Sequence, residues 1–256
     1  MRVLFIGDIF GKPGRQALAG LLPRLRSAHE PDVVIANAEN IAGGAGLTID
    51  TCRDAFKLGI DVLTTGNHAW DRREIISYIE SEPRLLRPVN YPPGTPGRGR
   101  LLLEEHDLLV TNIQGRVFMR SLDDPFRAMN LLLSENRARF TIVDFHAEAT
   151  AEKKAMGYHL DGRVSAVLGT HTHVQTADEQ ILPHGTGFIT DVGMTGPVDS
   201  IIGNDPETSL QRYLTQMPVA GKPASGRSEL CGVLLDLDEQ TGMTRAITRI
   251  KQQWPA

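Results

Sequence analysis

Val3-Leu4-Phe5-Ile6-Gly7-Asp8 opens the chain with four apolar residues that stop at a glycine and deliver a carboxylate. A short apolar run bounded by a turn residue reads as a strand buried on both faces. The pattern then recurs. Val33-Val34-Ile35-Ala36 runs into Asn37-Ala38-Glu39-Asn40, and Val62-Leu63-Thr64-Thr65 into Gly66-Asn67-His68. Phe140 to Phe145 delivers His146, and Val164 to Leu168 delivers Gly169-Thr170-His171-Thr172-His173. Helical signals lie between them. Lys12 to Ala28 has Pro13 in its first turn and Ala17, Leu18, Leu21, Leu22 and Leu25 on one face. Thr48 caps a segment through Leu58 that Gly59 closes. Asp71 or Arg72 to Ile79, Pro125 to Arg137 and Thr150 to Tyr158 complete the helices. After Gln180 the pattern turns to strands and loops, ending in Gly232 to Leu237 and Thr244 to Ile250. This order predicts an α/β fold, a two-sheet β-sandwich flanked by helices, formed as one domain over residues 1–256.

The stretch from Pro88 to Gly99 is a loop and not a linker, because strand signals resume at Leu101 to Leu103 and Leu108 to Ile113. Of the 256 residues, 41% are hydrophobic and 23% charged, enough apolar surface for a sizeable core. Lys and Arg total 27 against 31 Asp and Glu, a net charge of −4 with no basic footprint for duplex DNA. A small nucleotide stays compatible with that charge. The two cysteines, Cys52 and Cys231, form no framework or metal pair and read as reduced packing residues. No run reaches the roughly 18 apolar residues of a membrane span, and Met1 to Gly7 does not read as a signal peptide. A cytoplasmic protein without membrane partners is the expectation.

Ligands of open α/β sheets bind outside the carboxyl ends of strands. Five such ends here carry Asp8, Glu39 with Asn40, Asn67 with His68, His146, and His171 with His173. Carboxylates, amide oxygens and neutral imidazoles together suit iron, manganese or zinc. Alone, Asp8 reads as a turn former, His146 as a core histidine and Asn67 as a turn residue. His171-x-His173 is stronger, since alternate residues of extended backbone point the same way. Four of the eight histidines fall at these ends, for which packing supplies no reason. Gly7-Asp8-Ile9-Phe10-Gly11-Lys12-Pro13 is no P-loop: its glycines are one residue too close and Pro13 takes the Ser/Thr position. Gly43 to Gly46 reads as a turn.

Gly7-Asp8, Glu39-Asn40, Gly66-Asn67-His68, His146 and Gly169-Thr170-His171-Thr172-His173 resemble, in order and spacing, the motif series of calcineurin-like metallophosphoesterases. The resemblance implies a four-layer αββα sandwich. Three positions depart from the series: Phe10 replaces a metal-binding His, Glu39 the bridging Asp, and Ala69 an Asp or Glu. Asn40 is placed to fill the vacancy left at Phe10. The Glu-Asn pair is similar to the bacterial YmdB-type branch, which acts on 2′,3′-cyclic nucleotides and related phosphodiesters. Asp191-Val192-Gly193-Met194-Thr195-Gly196-Pro197 also resembles that branch and reads as a turn-rich rim loop.

The resemblance implies a binuclear metal-dependent phosphodiesterase for small nucleotides, with iron ahead of manganese or zinc. Two cations about 3.5–4 Å apart hold a hydroxide that attacks phosphorus in line. Asp8, Glu39, Asn40 and His173 are assigned to one cation, and Glu39, Asn67, His146 and His171 to the other. His68 resembles the catalytic general acid, and any carboxylate orienting it must come from elsewhere than Ala69, with Asp71 a candidate whose alternative role is to cap the following helix. The branch also implies homo-oligomers, for which the sequence carries no interface signal. Competing readings are a phosphomonoesterase or RNA-end nuclease on the same centre, and a nucleotide-sensing regulatory protein with weak turnover.

Overall fold

Alternation along each strand decides which layer every side chain joins. In the computed structural model, which describes residues 1–255, β1 (Arg2–Ile6) sends Val3 and Phe5 to one apolar cluster and Leu4 and Ile6 to another. The neighbouring β3 (Val33–Asn37) divides in the same way, Val33 and Ile35 against Val34 and Ala36. The outer cluster is completed by α1 (Gly11–His29), α2 (Ile49–Lys57) and α3 (Ile75–Ser81). The inner cluster meets the second sheet through Leu108, Val110, Ile142, Ala166 and Leu168 of β6 (Leu108–Gln114), β7 (Phe140–His146) and β8 (Ala166–Thr170). The opposite faces of those strands, Leu109, Val143, Phe145 and Val167, pack on α4 (Pro125–Glu135) and α5 (Thr150–Leu160). The result is helix, sheet, sheet, helix, as the sequence predicts.

The first sheet runs β2 (Asp8–Ile9), β11 (Met194–Pro197), β12 (Ser228–Leu237), β1, β3, β4 (Val62–Thr64), with β13 (Thr244–Trp254) paired to β12. The second runs β5 (Arg100–Leu103), β6, β7, β8, β10 (Gly187–Ile189), β9 (Gln180–Ile181). β1, β3 and β4 are mutually parallel, as are β6, β7, β8 and β10. Each parallel block therefore gathers its carboxyl ends at one edge, where ligands bind.

Three expectations are corrected. Residues 191–197 are buried throughout and end in β11, so they form sheet interior and not a rim loop. α6 (Pro206–Thr215) stands where strands and loops were expected; Asp205 accepts from the Thr208 N–H at 3.0 Å and Pro206 starts the helix. Its Leu210, Tyr213 and Leu214 recur at helical spacing, the signal that reveals it in the sequence, although among the described residues none of α6's side chains is buried. α3 begins at Ile75, four residues later than the earliest predicted start, which releases Asp71 from any capping role. Cys52 and Cys231 are free and buried, and burial pushes both thiols up to about 12. No described helix is long and apolar enough to cross a membrane.

Candidate metal centre

Close approach of backbone segments shapes the strand ends. A Cβ on Gly7 would strike the Gly193 carbonyl, and one on Gly169 the Thr190 carbonyl. A Cβ on Gly66 would occupy the space of the His146 imidazole and the Glu39 carboxylate. Glycine at position 66 thus lets side chains from both sheets meet. Below them lies a polar network. Asp144 accepts from Thr64 Oγ1 at 2.5 Å, Thr170 Oγ1 at 2.6 Å and Asn37 Nδ2 at 3.0 Å. Asn37 Oδ1 in turn accepts from the Glu39 N–H at 3.1 Å, fixing the chain as it leaves β3.

Above this floor, His146 Nε2 lies 3.2 Å from Glu39 Oε1, 3.0 Å from Asn67 Oδ1 and 3.0 Å from His171 Nδ1. One nitrogen cannot donate to three acceptors. Their lone pairs converge as they would around a cation, and Glu39, His146 and His171 together can hold a metal ion. A second group adjoins the first. Asn40 Nδ2 donates to Glu39 Oε1 at 3.1 Å and lies 3.2 Å from His173 Nε2. A half-turn of that amide would present Oδ1 at the same point. Asp8 Oδ2 accepts from the His171 N–H at 3.2 Å, while Asp8 Oδ1 is buried with no hydrogen-bond partner among the described residues.

The far nitrogen of each histidine is tied down. His146 Nδ1 meets Thr170 Oγ1 at 2.9 Å, and that hydroxyl donates to Asp144. His171 Nε2 meets Glu148 Oε2 at 3.0 Å. His173 Nδ1 donates to the Ile202 carbonyl at 2.9 Å. An imidazole whose outer N–H is held by an acceptor presents its other lone pair inward, the arrangement usual for metal-binding histidines.

Charge tells the same story. Burial pushes the Asp8 carboxyl up to about 7 against the pull of His173 and His146. Burial also raises Glu39, but His146 and His68 outweigh it and hold Glu39 well below the usual carboxylate range. His146 is pushed down by burial and pulled up by Glu39, Asp8 and Asp144, to about 9. Burial and His146 drive His171 down to about 3, which keeps its lone pair free. The carboxylates thus favour positive charge at this point, which a proton on His146 or a cation supplies.

His171 and His173 correct one expectation. Both have positive φ, 100° and 67°, so the segment is not extended and the two rings face different partners. Non-glycine residues in that region carry strain and concentrate at functional sites. The segment is clamped between them: Asp191 Oδ2 accepts from the Thr172 N–H at 3.0 Å, from Thr172 Oγ1 at 2.7 Å and from Lys153 Nζ at 2.7 Å. Lys153 and Asp191 are both buried. Phe10 is buried too, its ring edge-on to His173 at 5.6 Å, and Gly44, Gly196 and Gly203 leave room for it. His68 stands slightly apart. Its N–H donates to Glu39 Oε2 at 3.0 Å, and its Nδ1 meets Asp71 Oδ2 at 2.7 Å.

All eight sequence-predicted residues thus lie in one constellation. Asp144, Glu148, Lys153 and Asp191 support it and were not singled out for chemistry. An acid inside the apolar strand Phe140–His146 was the one available signal, for Asp144.

Residues 4–250 match the YmdB-like protein family. A Bacillus subtilis (strain 168) protein named 2′,3′-cyclic-nucleotide 2′-phosphodiesterase is 48% identical over 254 residues, 98% of this chain and 96% of that one. The crystal structure of a hypothetical protein from Thermus thermophilus superposes with a TM-score of 0.94 at 47% identity, covering 100% of both chains. A crystal structure from Mycoplasma pneumoniae, described as a novel phosphatase, gives 0.95 at 32% identity over 99% of this chain and 93% of that one. With both sequence and fold matched over almost the entire length, this chain belongs to the YmdB-like protein family.

Proposed function

We propose that this chain is a binuclear metal-dependent phosphodiesterase acting on 2′,3′-cyclic nucleotides, as one cytoplasmic domain spanning residues 1–256. It is a phosphoric ester hydrolase. The substrate class follows the name of the Bacillus subtilis relative. The observation that carries the reading is the set of three histidines whose outer nitrogens are tied while their inner nitrogens converge with Glu39, Asn40 and Asn67. Asp8, Glu39, Asn40 and His173 would hold one cation, and Glu39, Asn67, His146 and His171 the other.

When bound, two such cations, with iron preferred over manganese or zinc, supply charge for the phosphoryl oxygens and lower the pKa of the attacking water. Glu39 sits between the two groups and lends one negative charge to both. His68 holds a proton on Nε2 while Asp71 fixes Nδ1. As the P–O2′ bond breaks, that proton passes to the ribose oxygen, so no alkoxide need form.

Turnover of 2′,3′-cyclic AMP, bis-p-nitrophenyl phosphate and p-nitrophenyl phosphate by metal-loaded protein tests this. The cyclic diester is expected to be hydrolysed fastest and the monoester slowest. Preference for the monoester would favour a phosphomonoesterase, and binding without turnover a nucleotide sensor.

A further inference from the structure

Beyond the cluster, the segment leaving β6 forms a tight turn over its mouth. The Gly115 N–H donates to the His146 carbonyl at 2.9 Å, hanging the turn directly from a strand end of the site. The buried Glu152 carboxylate accepts from the Arg116 N–H at 2.9 Å and the Val117 N–H at 3.2 Å. The Met119 N–H closes onto the Arg116 carbonyl at 3.2 Å, and Gln114 Nε2 reaches the Arg120 carbonyl at 3.4 Å. The turn is therefore held at both ends. At its tip Phe118 takes a left-handed conformation, φ 62°, and is 89% exposed. A bulky aromatic in that backbone region, with so little of its surface covered, gains nothing from packing to offset the strain. Phe118 nevertheless lines a cleft of about 400 Å³ shared with Asn67, His68, Asp71, Arg120 and His171.

A cleft of that size takes a small ligand. Its lining joins polar side chains, the candidate proton donor His68 among them, to Phe118, Met119 and Arg120 of the turn. That combination matches a nucleotide, whose phosphate needs charge and whose base needs a π-face. We propose that Phe118 is the specificity-determining residue of this centre, stacking on the nucleobase while the phosphate lies toward His68 and His171. This rests on the phosphodiesterase reading and adds to it a base-binding wall.

The test compares affinities of metal-loaded protein for adenosine 3′-monophosphate and for ribose 3-phosphate, which lacks the base, by calorimetry. Wild type should bind the adenosine compound more tightly. Phe118→Ala should shrink that preference by roughly fivefold to a hundredfold, the range of one base–aromatic stack. Affinity for ribose 3-phosphate should not change, and Phe118→Tyr should keep the preference. An unchanged preference in Phe118→Ala, an equal loss for both ligands, or a changed oligomeric state with the preference intact would each overturn the proposal. Turnover of 2′,3′-cyclic AMP is measured in parallel. Base preference without turnover contradicts only the phosphodiesterase reading, and turnover without base preference contradicts only the stacking.

Discussion

His68 and Glu39 are joined by a backbone N–H, yet the proposed chemistry separates their roles completely. His68→Ala should keep its metal and lose turnover by about 10²–10⁴-fold on a ribose leaving group, the usual contribution of general acid catalysis. The loss should shrink with p-nitrophenolate, which departs with little protonation. Elemental analysis alongside both assays checks this, and a variant that loses metal would make His68 a ligand. Glu39→Gln should lower metal content more than Asn40→Ala, because it removes a charge between two cations where the amide only lends an oxygen. The residues at strand ends were legible because position alone selects them. Asp144, Glu148 and Asp191 were not, since each acts through a partner distant in sequence: Asp144 through Thr64, Glu148 through His171, Asp191 through Lys153.

At the scale of elements, the Lys153–Asp191 pair ties α5 to the segment preceding β11 and, through Thr172, to the loop carrying His171 and His173. Lys153→Met would leave Asp191 buried without its counter-ion. Loss of one partner from a buried pair costs about 3–5 kcal/mol. Urea unfolding should show a loss of that order, with most of it regained in the double variant carrying Asp191→Asn. A destabilisation below about 1 kcal/mol would show the pair to be dispensable. Strands β1, β3, β4 and β7 were readable from apolar runs, whereas β11 was not. Its residues, Met-Thr-Gly-Pro, lack strand composition, and its place depends on close approaches that only glycine permits: a Cβ on Gly7 would strike the Gly193 carbonyl and one on Gly14 the Thr195 carbonyl. α6 carried a readable start at Asp205-Pro206 and apolar residues at helical spacing, Leu210, Tyr213 and Leu214, although it buries none of them.

Across the whole molecule, alternation within strands determined the four layers, and parallel order brought the strand ends of both sheets to one edge. What alternation could not supply was how the sheets face each other, which depends on long-range packing such as Val3 and Phe5 against Val110 and Ile142. Metal uptake by such a centre should depend on pH. Glu39, Asp8 and Asp144 pull His146 up to about 9 against its burial, and burial pushes the Asp8 carboxyl up to about 7. Protons on these groups compete with cations, so affinity should strengthen as pH rises from 6 to 9 and weaken as it falls. The slope should approach tenfold per pH unit for each proton displaced. Titration of apo-protein with Mn²⁺ at several pH values, with released protons counted, checks the sign. Affinity that rises toward low pH would contradict the charge assignment.

The central claim is that two cations held by these strand ends hydrolyse a phosphodiester. Chelator-stripped protein titrated with Mn²⁺, while hydrolysis of 2′,3′-cyclic AMP is followed, tests it most directly. Turnover should be absent at the start, rise with added metal and level off at about two equivalents per chain. Hydrolysis by the stripped protein, a plateau at one equivalent, or no turnover at saturating metal would contradict it.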